Sequence, residues 1–260
     1  MKLSVAALTV YPLKSGAGNA VPEVFIGRRG PAFDRVLMVV DERGNFLSQR
    51  EHPELGKIRS HVSDESIELS GAGEVVRIES AAGPSVKVRV WEDEVVAEDC
   101  GPVAAGFITH VLGRLARVVK LGAGYSRPVD ARYAEGEVSF ADGFPLLVAT
   151  SASVAAIASA VATPIDARRF RPNLVIDGAE PFAEDSWREL AIGEVRLELV
   201  KPCARCVVVD LDPDRAVRAP GVLAALAQSR KRGAEVMFGQ NAMVTAEGTI
   251  AVGAPVTVLR

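Results

Sequence analysis

The chain has 260 residues, with 30 Lys and Arg against 33 Asp and Glu, so its formal net charge is −3. Apolar residues make up 48% of the sequence and charged residues 24%, close to the average for soluble globular proteins. This length suits one large domain or two small ones. The composition excludes long disorder, a collagen-like fibre and a coiled-coil rod, and the near-neutral charge does not indicate a nucleic-acid partner.

The cysteine content indicates a reducing compartment. Three cysteines in 260 residues are too few, and odd in number, for a disulfide framework. A functional cysteine would therefore act as a thiolate. The N-terminal segment has no long apolar stretch followed by a signal cleavage site, and no window holds 18 consecutive apolar residues. We expect a cytoplasmic protein without a membrane span.

Strand patterns dominate the first hundred residues. Apolar and β-branched residues predict strands at 3–10, 36–40, 67–69, 75–78 and 86–90. The sequence Asp-Glu-Arg-Gly that follows the second of these predicts a hairpin turn with a glycine at its tight position. Short strands separated by Gly, Ser and Pro are typical of a barrel or compact sheet. A first helix is predicted over 102–115, where apolar residues recur at every fourth position.

A loop rich in Gly, Arg and Pro at 122–137 predicts a boundary between a domain at 1–120 and another at 121–260. The second unit has a helix pattern at 151–162, with Thr150 or Ser151 as its N-cap. The other elements predicted there are strands at 146–149, 174–176, 195–199, 207–211, 242–245 and 256–259, and a short helix at 221–228. The fold class is therefore α+β, predominantly β, with a few short helices.

The sequence Cys203-Ala204-Arg205-Cys206 is the most informative local motif. A structural zinc site needs four ligands, and no second C-x-x-C is present. A thioredoxin-like redox pair requires the motif at a helix N-terminus, whereas here a strand pattern follows it. A third interpretation is that the two cysteines of this motif are small, buried apolar residues without a chemical role. Arg205 between the sulfurs favours a fourth, a thiolate nucleophile or soft metal ligand. Cys100 follows acidic residues, which predicts a structural role.

Four cationic residues lie where a predicted strand or turn ends: Lys14, Arg35, Arg50 and Arg171. Separately, each is typical of a surface charge or of a carboxylate partner. Together they match the requirements of a ligand that carries a phosphate group. The residues Thr-Ser-Ala-Ser at 150–153 begin a predicted helix and fit an anion-binding N-terminus. The sequence contains no G-x-G-x-x-G, G-x-S-x-G, H-E-x-x-H or Walker motif.

Taken as a set, these segments resemble a known domain pair. YPLKSG at 11–16 and DRVLMVVDERGNFLSQREHPEL at 34–55 resemble the N-terminal β-barrel domain that precedes MOSC domains. The MOSC domain itself is resembled by three later segments, at 140–153, 170–178 and 183–214. These segments contain the motifs FRPN, EDSW and C-x-R-C, the last of which precedes DPD. FGQNAMV at 238–244 and GTIAVGAPVTVL at 248–259 are similar to its end. The resemblance implies an N-terminal β-barrel-like domain packed on a MOSC β-barrel.

The resemblance also implies a function. This family includes the amidoxime-reducing components and their bacterial relatives, which bind a molybdenum cofactor and reduce N-hydroxylated compounds such as amidoximes and hydroxylaminopurines. At the superfamily level it is associated with pyridoxal phosphate binding as well. The family's metal-bound cysteine falls on Cys206. Its cofactor contacts fall on Lys14, Ser15, Arg35, Thr150, Ser151, Arg171, Asn173, Arg205 and Asn241.

The same resemblance bears on the electron source. Three cysteines cannot ligate a [2Fe–2S] cluster with four thiolates, so we expect no iron–sulfur cluster in this chain. Electrons would come from a separate donor: a ferredoxin, a flavodoxin or a cytochrome b5-type carrier with its reductase. The alternative function is a molybdopterin carrier or a sulfur carrier that uses Cys206. A plain binding domain with inert cysteines is a third possibility.

Overall fold

The computed structural model describes residues 2–80, 83–122, 124–125, 127–161 and 165–260. Strands account for 44% of the residues and helices for 19%, which confirms the predicted predominantly β fold. None of the helices in the described part of the chain combines the length and apolarity needed to cross a lipid bilayer.

The N-terminal half contains most of the short strands. Its elements are β1 Leu3–Val10, β2 Asn19–Val21, β3 Glu23–Gly27, β4 Gly30–Pro31, β5 Leu37–Val40, β6 Arg59–Val62, β7 Ser66–Gly71, β8 Glu74–Glu79, β9 Ser85–Val90, β10 Asp93–Asp99, α1 Gly101–Leu112 and β11 Arg117–Leu121. A 3₁₀-helix covers Pro53–Lys57.

The C-terminal half contains the longest strands. Its elements are β12 Arg127–Pro128, β13 Glu137–Val138, β14 Leu146–Thr150, α2 Ser151–Val161, β15 Leu174–Asp177, β16 Glu189–Ile192, β17 Val195–Ala204, α3 Val222–Ser229, β18 Lys231–Arg232, β19 Glu235–Ala246, β20 Gly248–Ala251 and β21 Pro255–Val258. Three 3₁₀-helices cover Ala167–Phe170, Ala183–Asp185 and Val207–Asp210.

Seven strands close into a barrel in the order β14-β15-β1-β21-β16-β17-β19, because β19 pairs back onto β14. Its interior is a single apolar cluster that includes Val5, Leu190 and Leu197, each at most 1% exposed. Strand β1 lies between β15 and β21. The first strand of the chain is therefore one of the seven barrel strands, and the other six come from the C-terminal half.

Two smaller sheets carry the rest of the N-terminal half. The first has the order β5-β11-β10-β9 and the second the order β6-β7-β8. Helix α1 contributes Phe107 and Ile108 to the apolar cluster beneath them. Strand β3 pairs with β20 near the C-terminus. The division at residue 120 stays a prediction, and strand pairing through β1 and β3 crosses it.

Most of the predicted strands coincide with observed ones, but two predicted elements differ. Helix α1 ends at Leu112 rather than at 115, because Gly113 adopts the left-handed conformation with φ 63°. The strand predicted at 207–211 is wrong, since Val207–Asp210 forms a 3₁₀-helix. Its backbone bonds run from Val209 N to Cys206 O at 3.2 Å. Burial of Val209 against aromatic residues outweighs the strand preference of three consecutive valines.

The predicted turn at 41–44 is confirmed. The Asp41 carboxylate accepts from the backbone N–H of Arg43 and Asn45 at 2.9 and 2.8 Å, and Gly44 has φ 82°. Val40 and Phe46 form the bridge that closes the hairpin. Parts of two other predictions, residues 123 and 126 of the loop and residue 162 of the helix, lie outside the described residues.

Candidate active site

A cavity lies where the segments after β1 and β5 meet the ends of β14, β15 and β17. It brings together most of the site residues predicted from the sequence. These are Lys14, Ser15, Arg35, Arg171, Asn173, Arg205, Cys206 and Asn241, and Cys203 and Arg50 line the cavity as well. Residues as far apart in the chain as Lys14 and Asn241 therefore share one site.

The amine of Lys14 is buried at one wall of this cavity. It donates to the Phe140 carbonyl oxygen at 2.8 Å and forms a short ion pair with Asp142. Its Nζ lies 4.9 Å from the Phe46 ring centre and 5.5 Å from that of Trp91, within cation–π range. Burial lowers the pKa of Lys14, and the Asp142 carboxylate partly offsets that effect.

Trp91 holds this wall together. Its indole N–H donates to Asp142 at 3.1 Å, and its ring packs edge-on against Phe46 with centroids 5.4 Å apart. The Arg50 guanidinium lies 4.6 Å above the same ring. Trp91 has φ 56°, a left-handed conformation that is costly for a bulky residue. The surrounding contacts therefore fix an indole at the cavity in a strained turn between β9 and β10.

Two guanidinium groups flank the buried ring of Tyr11. The Cζ atom of Arg35 lies 4.4 Å from the ring centre and that of Arg171 lies 4.3 Å from it. Both arginines have positive φ, 50° and 56°. Arg171 donates to the Gly16 carbonyl oxygen at 2.6 Å. Burial, with repulsion from Arg35, lowers the pKa of Arg171 to about 10.

Asp34 and Asn173 both contact the Arg35 guanidinium and fix its position. Asp34 is 3% exposed and forms a short ion pair with Arg35, and its carboxylate accepts from the Tyr11 backbone N–H at 2.8 Å. Burial raises the pKa of Asp34, against the lowering effect of Arg35. The Asn173 amide donates to Asp34 at 3.0 Å, while its oxygen accepts from Arg35 at 3.0 Å. Asn173 thus orients the guanidinium of Arg35.

The C-x-R-C segment forms the opposite wall. Strand β17 ends at Ala204, and Cys206 is the residue before the 3₁₀-helix Val207–Asp210. Arg205 Nη1 donates to Cys203 Sγ at 3.0 Å, and its Nη2 donates to the Phe170 carbonyl oxygen. Both thiols line the cavity, and the guanidinium contacts Cys203.

Ser15 and Asn241 occupy supporting positions. Ser15 Oγ accepts from the Gln49 backbone N–H at 3.1 Å, and the Asn241 amide donates to the Pro202 carbonyl oxygen at 3.4 Å. The first contact fixes the loop after β1 to the loop after β5. The second places Asn241 of β19 beside the C-x-R-C strand.

The structure does not bring Thr150 and Ser151 to the cavity. Thr150 is the N-cap of α2, as predicted, since its Oγ1 accepts from the Ser153 backbone N–H at 3.1 Å. The buried Glu184 carboxylate occupies this helix N-terminus. It accepts from Thr150 Oγ1 at 3.0 Å and from Ser153 Oγ at 2.8 Å. An internal carboxylate therefore fills the position where the sequence predicted an external anion.

Sequence reasoning missed three side chains that shape the site: Phe46, Trp91 and Asp142. No local motif marks them, because each acts through long-range contact with Lys14. Cys100 is placed apart from the cavity, packed against the N-terminal core. Burial, with the nearby Asp99, raises the pKa of its thiol to about 12, which agrees with the predicted structural role.

The cavity carries an excess of positive charge. Five cations line it, Lys14, Arg35, Arg50, Arg171 and Arg205, whereas Asp142 is the acidic residue among the lining residues described. Like charges held close together at partly buried sites favour an anionic ligand. Within the described residues, the cavity included, no three or more His, Cys, Asp or Glu side chains are grouped so that they could hold a metal ion by themselves. The arrangement suits an anion placed next to two thiols.

Comparison with known proteins identifies the fold family. Residues 2–115 match the family model of the MOSC N-terminal beta barrel domain, and residues 135–257 match that of the MOSC domain. Mitochondrial amidoxime-reducing component 1 of Homo sapiens is 32% identical, with 98% of this chain and 83% of the relative covered. Mitochondrial amidoxime reducing component 2 of Homo sapiens is 29% identical, with 82% and 68% covered.

A second group of relatives is much longer than this chain. Molybdenum cofactor sulfurase of Danio rerio is 29% identical, and the alignment covers 89% of this chain but 31% of the sulfurase. The two domain matches and the 32% identity over nearly the full length agree with each other. The chain belongs to the family of MOSC-domain proteins with an N-terminal MOSC β-barrel, to which the mitochondrial amidoxime-reducing components also belong.

Proposed function

We propose that this protein is a molybdenum-cofactor-dependent oxidoreductase that reduces N-hydroxylated compounds. The observation that carries the proposal is that five cationic side chains and both C-x-R-C thiols line one cavity. The similarity to amidoxime-reducing components supports the substrate class. The reaction balances as R–NHOH plus two electrons and two protons giving R–NH₂ and water, so an N–O bond breaks and the nitrogen is reduced.

The residues present fit such a cofactor. Molybdopterin carries an anionic phosphate, a dithiolene and a polar pterin, and guanidinium forks suit the phosphate and the polar ring edge. Arg205 Nε is buried and has no hydrogen-bond partner among the described residues. A buried donor without an acceptor is costly. A bound ligand with acceptor atoms would relieve that cost.

Each side chain then has a task that follows from its position. Lys14, Arg35, Arg171 and Arg205 would neutralise the anionic groups, and Ser15, Asn173 and Asn241 would hold the orientation of that cradle. The Cys206 thiolate would be the protein's ligand to molybdenum, since sulfur is a soft ligand. When bound, the cofactor would supply two-electron redox chemistry, and the side chains named above would orient it and tune its charge.

The electron donor is part of the proposal. We infer a separate ferredoxin, flavodoxin or cytochrome b5-type carrier with its reductase, because three cysteines do not suffice for a four-thiolate [2Fe–2S] site in this chain. A cytoplasmic location fits the free thiols. Nucleic acid is not an expected partner, given the net charge of −3.

The first test is metal and pterin analysis of protein expressed in a host that makes the cofactor. We expect near-stoichiometric molybdenum and pterin, loss of molybdenum in Cys206→Ala, and a milder loss in Cys203→Ala. Equal loss in both variants would point to a dithiol site instead. Folded wild-type protein from such a host without molybdenum or pterin would overturn the proposal.

Similarity to part of molybdenum cofactor sulfurases favours a second candidate, a molybdopterin carrier or sulfur carrier. In that case Cys206 would hold a persulfide or the chain would release its cofactor to another protein. Intact-mass spectrometry distinguishes the two functions. An added sulfur atom on Cys206, without turnover of N-hydroxylated compounds, would favour the carrier.

A further inference from the structure

The side chain of Gln49 is buried at the cavity, and its carboxamide has no partner. Gln49 is 6% exposed, and its backbone N–H donates to Ser15 Oγ at 3.1 Å. Among the described residues, no group bonds to its Oε1 or its Nε2. Buried amides are nearly always hydrogen-bonded, because an unpaired donor or acceptor costs free energy. The unpartnered carboxamide therefore indicates a ligand contact.

Gln49 lies where two cavities meet. It lines the cavity that contains the C-x-R-C thiols, and it also lines a smaller one of about 30 Å³. Arg171 and Val208 line both cavities as well, so these three residues form the partition between them. The smaller cavity has room for little more than one water molecule. A ligand in the larger cavity would therefore end at this partition, beside Gln49.

Gly56 gives the carboxamide its place. A Cβ atom at Gly56 would lie 2.2 Å from Gln49 Nε2 and 3.3 Å from its Cδ, so the amide packs directly on the glycine backbone. Gly56 belongs to the 3₁₀-helix Pro53–Lys57 and does not have a positive φ. Alanine at this position would thus suit the backbone but would occupy the space of the carboxamide.

The chemistry of the carboxamide narrows the class of ligand. It carries a donor beside an acceptor. A phosphate group offers mainly acceptor oxygens, which suit the cationic side chains of the cavity, and it would leave Gln49 Oε1 without a donor. A cyclic amide, with a ring N–H next to a carbonyl oxygen, pairs with both atoms at once. The pterin ring of the molybdenum cofactor has such an edge.

We propose that Gln49 is a binding residue for the pterin ring of the cofactor. Its Nε2 donates to the ring carbonyl oxygen, and its Oε1 accepts from the adjacent ring N–H. This inference rests on the proposed function, which supplies the identity of the cofactor. The cationic side chains bind the phosphate, and Gln49 recognises the pterin edge.

Binding of 6-hydroxymethylpterin, a fluorescent pterin that is uncharged at neutral pH, tests the inference. Fluorescence anisotropy measures its affinity for the whole chain, purified from a host that does not make the cofactor. Gln49→Met keeps the length of the side chain but removes both hydrogen-bonding atoms, so we expect affinity to fall about tenfold. Gly56→Ala keeps the carboxamide but displaces it, and should weaken binding to a similar extent. Gln228→Ala, which removes an exposed carboxamide on α3, is the matched control.

Pyrophosphate is the second probe, because it offers acceptor oxygens without a cyclic amide. Its affinity should change less than about twofold in Gln49→Met and Gly56→Ala, since the cations that bind it are unaltered. Loss of pyrophosphate affinity with unchanged pterin affinity would assign Gln49 to the phosphate and overturn the inference. Unchanged pterin affinity in either folded variant would overturn it too, as would a wild type that does not bind 6-hydroxymethylpterin.

Reduction of benzamidoxime by reduced methyl viologen, with cofactor-loaded wild type, tests the proposed function separately. Turnover together with pterin binding that does not depend on Gln49 would remove the inference and leave the function. Pterin binding that depends on Gln49, in a protein that lacks molybdenum and turnover, would support a pterin site and remove the oxidoreductase function.

Discussion

At the scale of single residues, the main feature of the site is two positively charged side chains, Arg35 and Arg171, that the fold holds close together without a ligand. Arg35 and Arg171 lie on the ring of Tyr11, and both have a left-handed backbone. Repulsion between them lowers the pKa of Arg171 in addition to the larger effect of burial. The folded protein therefore carries an electrostatic cost at this point, and an anion bound in the cavity beside these guanidiniums would relieve it.

Replacing Arg171 with Met should weaken anion binding without destabilising the protein. We expect affinity for pyrophosphate to fall about tenfold, because a partly buried charge-assisted contact is lost, and molybdenum content to fall with it. The free energy of unfolding of the cofactor-free protein should change little, because relief of the repulsion from Arg35 offsets loss of the hydrogen bond to the Gly16 carbonyl. Calorimetric titration and urea unfolding measure both, with the exposed Arg28→Met as control. Unchanged affinity would exclude Arg171 from the site.

The pH dependence of anion binding should depend on Asp142. Burial lowers the pKa of Lys14, while Asp142 raises it, so Asp142→Asn lowers that pKa further. Lys14 then loses its proton at a lower pH, and pyrophosphate affinity should decline at a lower pH than in the wild type. Titrations between neutral and alkaline pH measure this shift. Lys14→Met should lack this component, and coincident wild-type and Asp142→Asn profiles would contradict the assignment.

At the scale of elements, the N-terminus of α2 and the 3₁₀-helix Val207–Asp210 show how tertiary contacts redirect local signals. Helix α2 begins at the predicted cap residue Thr150. The anion at its N-terminus is the carboxylate of Glu184, which is 1% exposed, and not a bound ligand. The valines after Cys206 favour a strand by composition, yet they form a helical turn that aims Asp210 at α3. Both outcomes depend on partners distant in sequence.

Thr150→Ala should therefore lower stability and leave cofactor occupancy unchanged. The variant loses the helix cap and a donor to the buried Glu184 carboxylate, a cost of about 2 kcal/mol. Ser151→Ala is the matched control, with a change within about 0.5 kcal/mol. Urea unfolding and molybdenum content of the folded protein provide the two readouts. Loss of molybdenum from folded Thr150→Ala would place the cofactor at this helix after all.

At the scale of the whole molecule, the barrel depends on strand β1 from the opposite end of the chain. Its pairing with β15 and β21 closes the seven-stranded barrel. The same strand leads into Lys14, whose amine bonds to Phe140 and Asp142. Barrel closure and assembly of the cavity are thus coupled through one segment.

A fragment of residues 121–260 should not fold alone. Without β1, the strands β15 and β21 would be left as open edges around an exposed core. We expect no cooperative thermal transition by circular dichroism for this fragment, and recovery of one when residues 1–120 are co-expressed with it. A cooperative transition of the isolated fragment would show that the predicted division at residue 120 separates independent folding units.

Neighbouring residues encode the strand-rich class, the helix cap at Thr150, the turn at Gly44 and the C-x-R-C motif, so these features can be predicted without the structure. The resemblance of the sequence to MOSC-domain proteins then indicated the cations that the cavity brings together. The tertiary structure alone decided that Trp91 and Asp142 hold Lys14, and that Glu184 fills the helix N-terminus. It also decided that the Asp210 carboxylate meets the start of α3, where it accepts from the Leu223 backbone N–H. These contacts join distant positions, and local propensity carries no information about which distant side chains will meet.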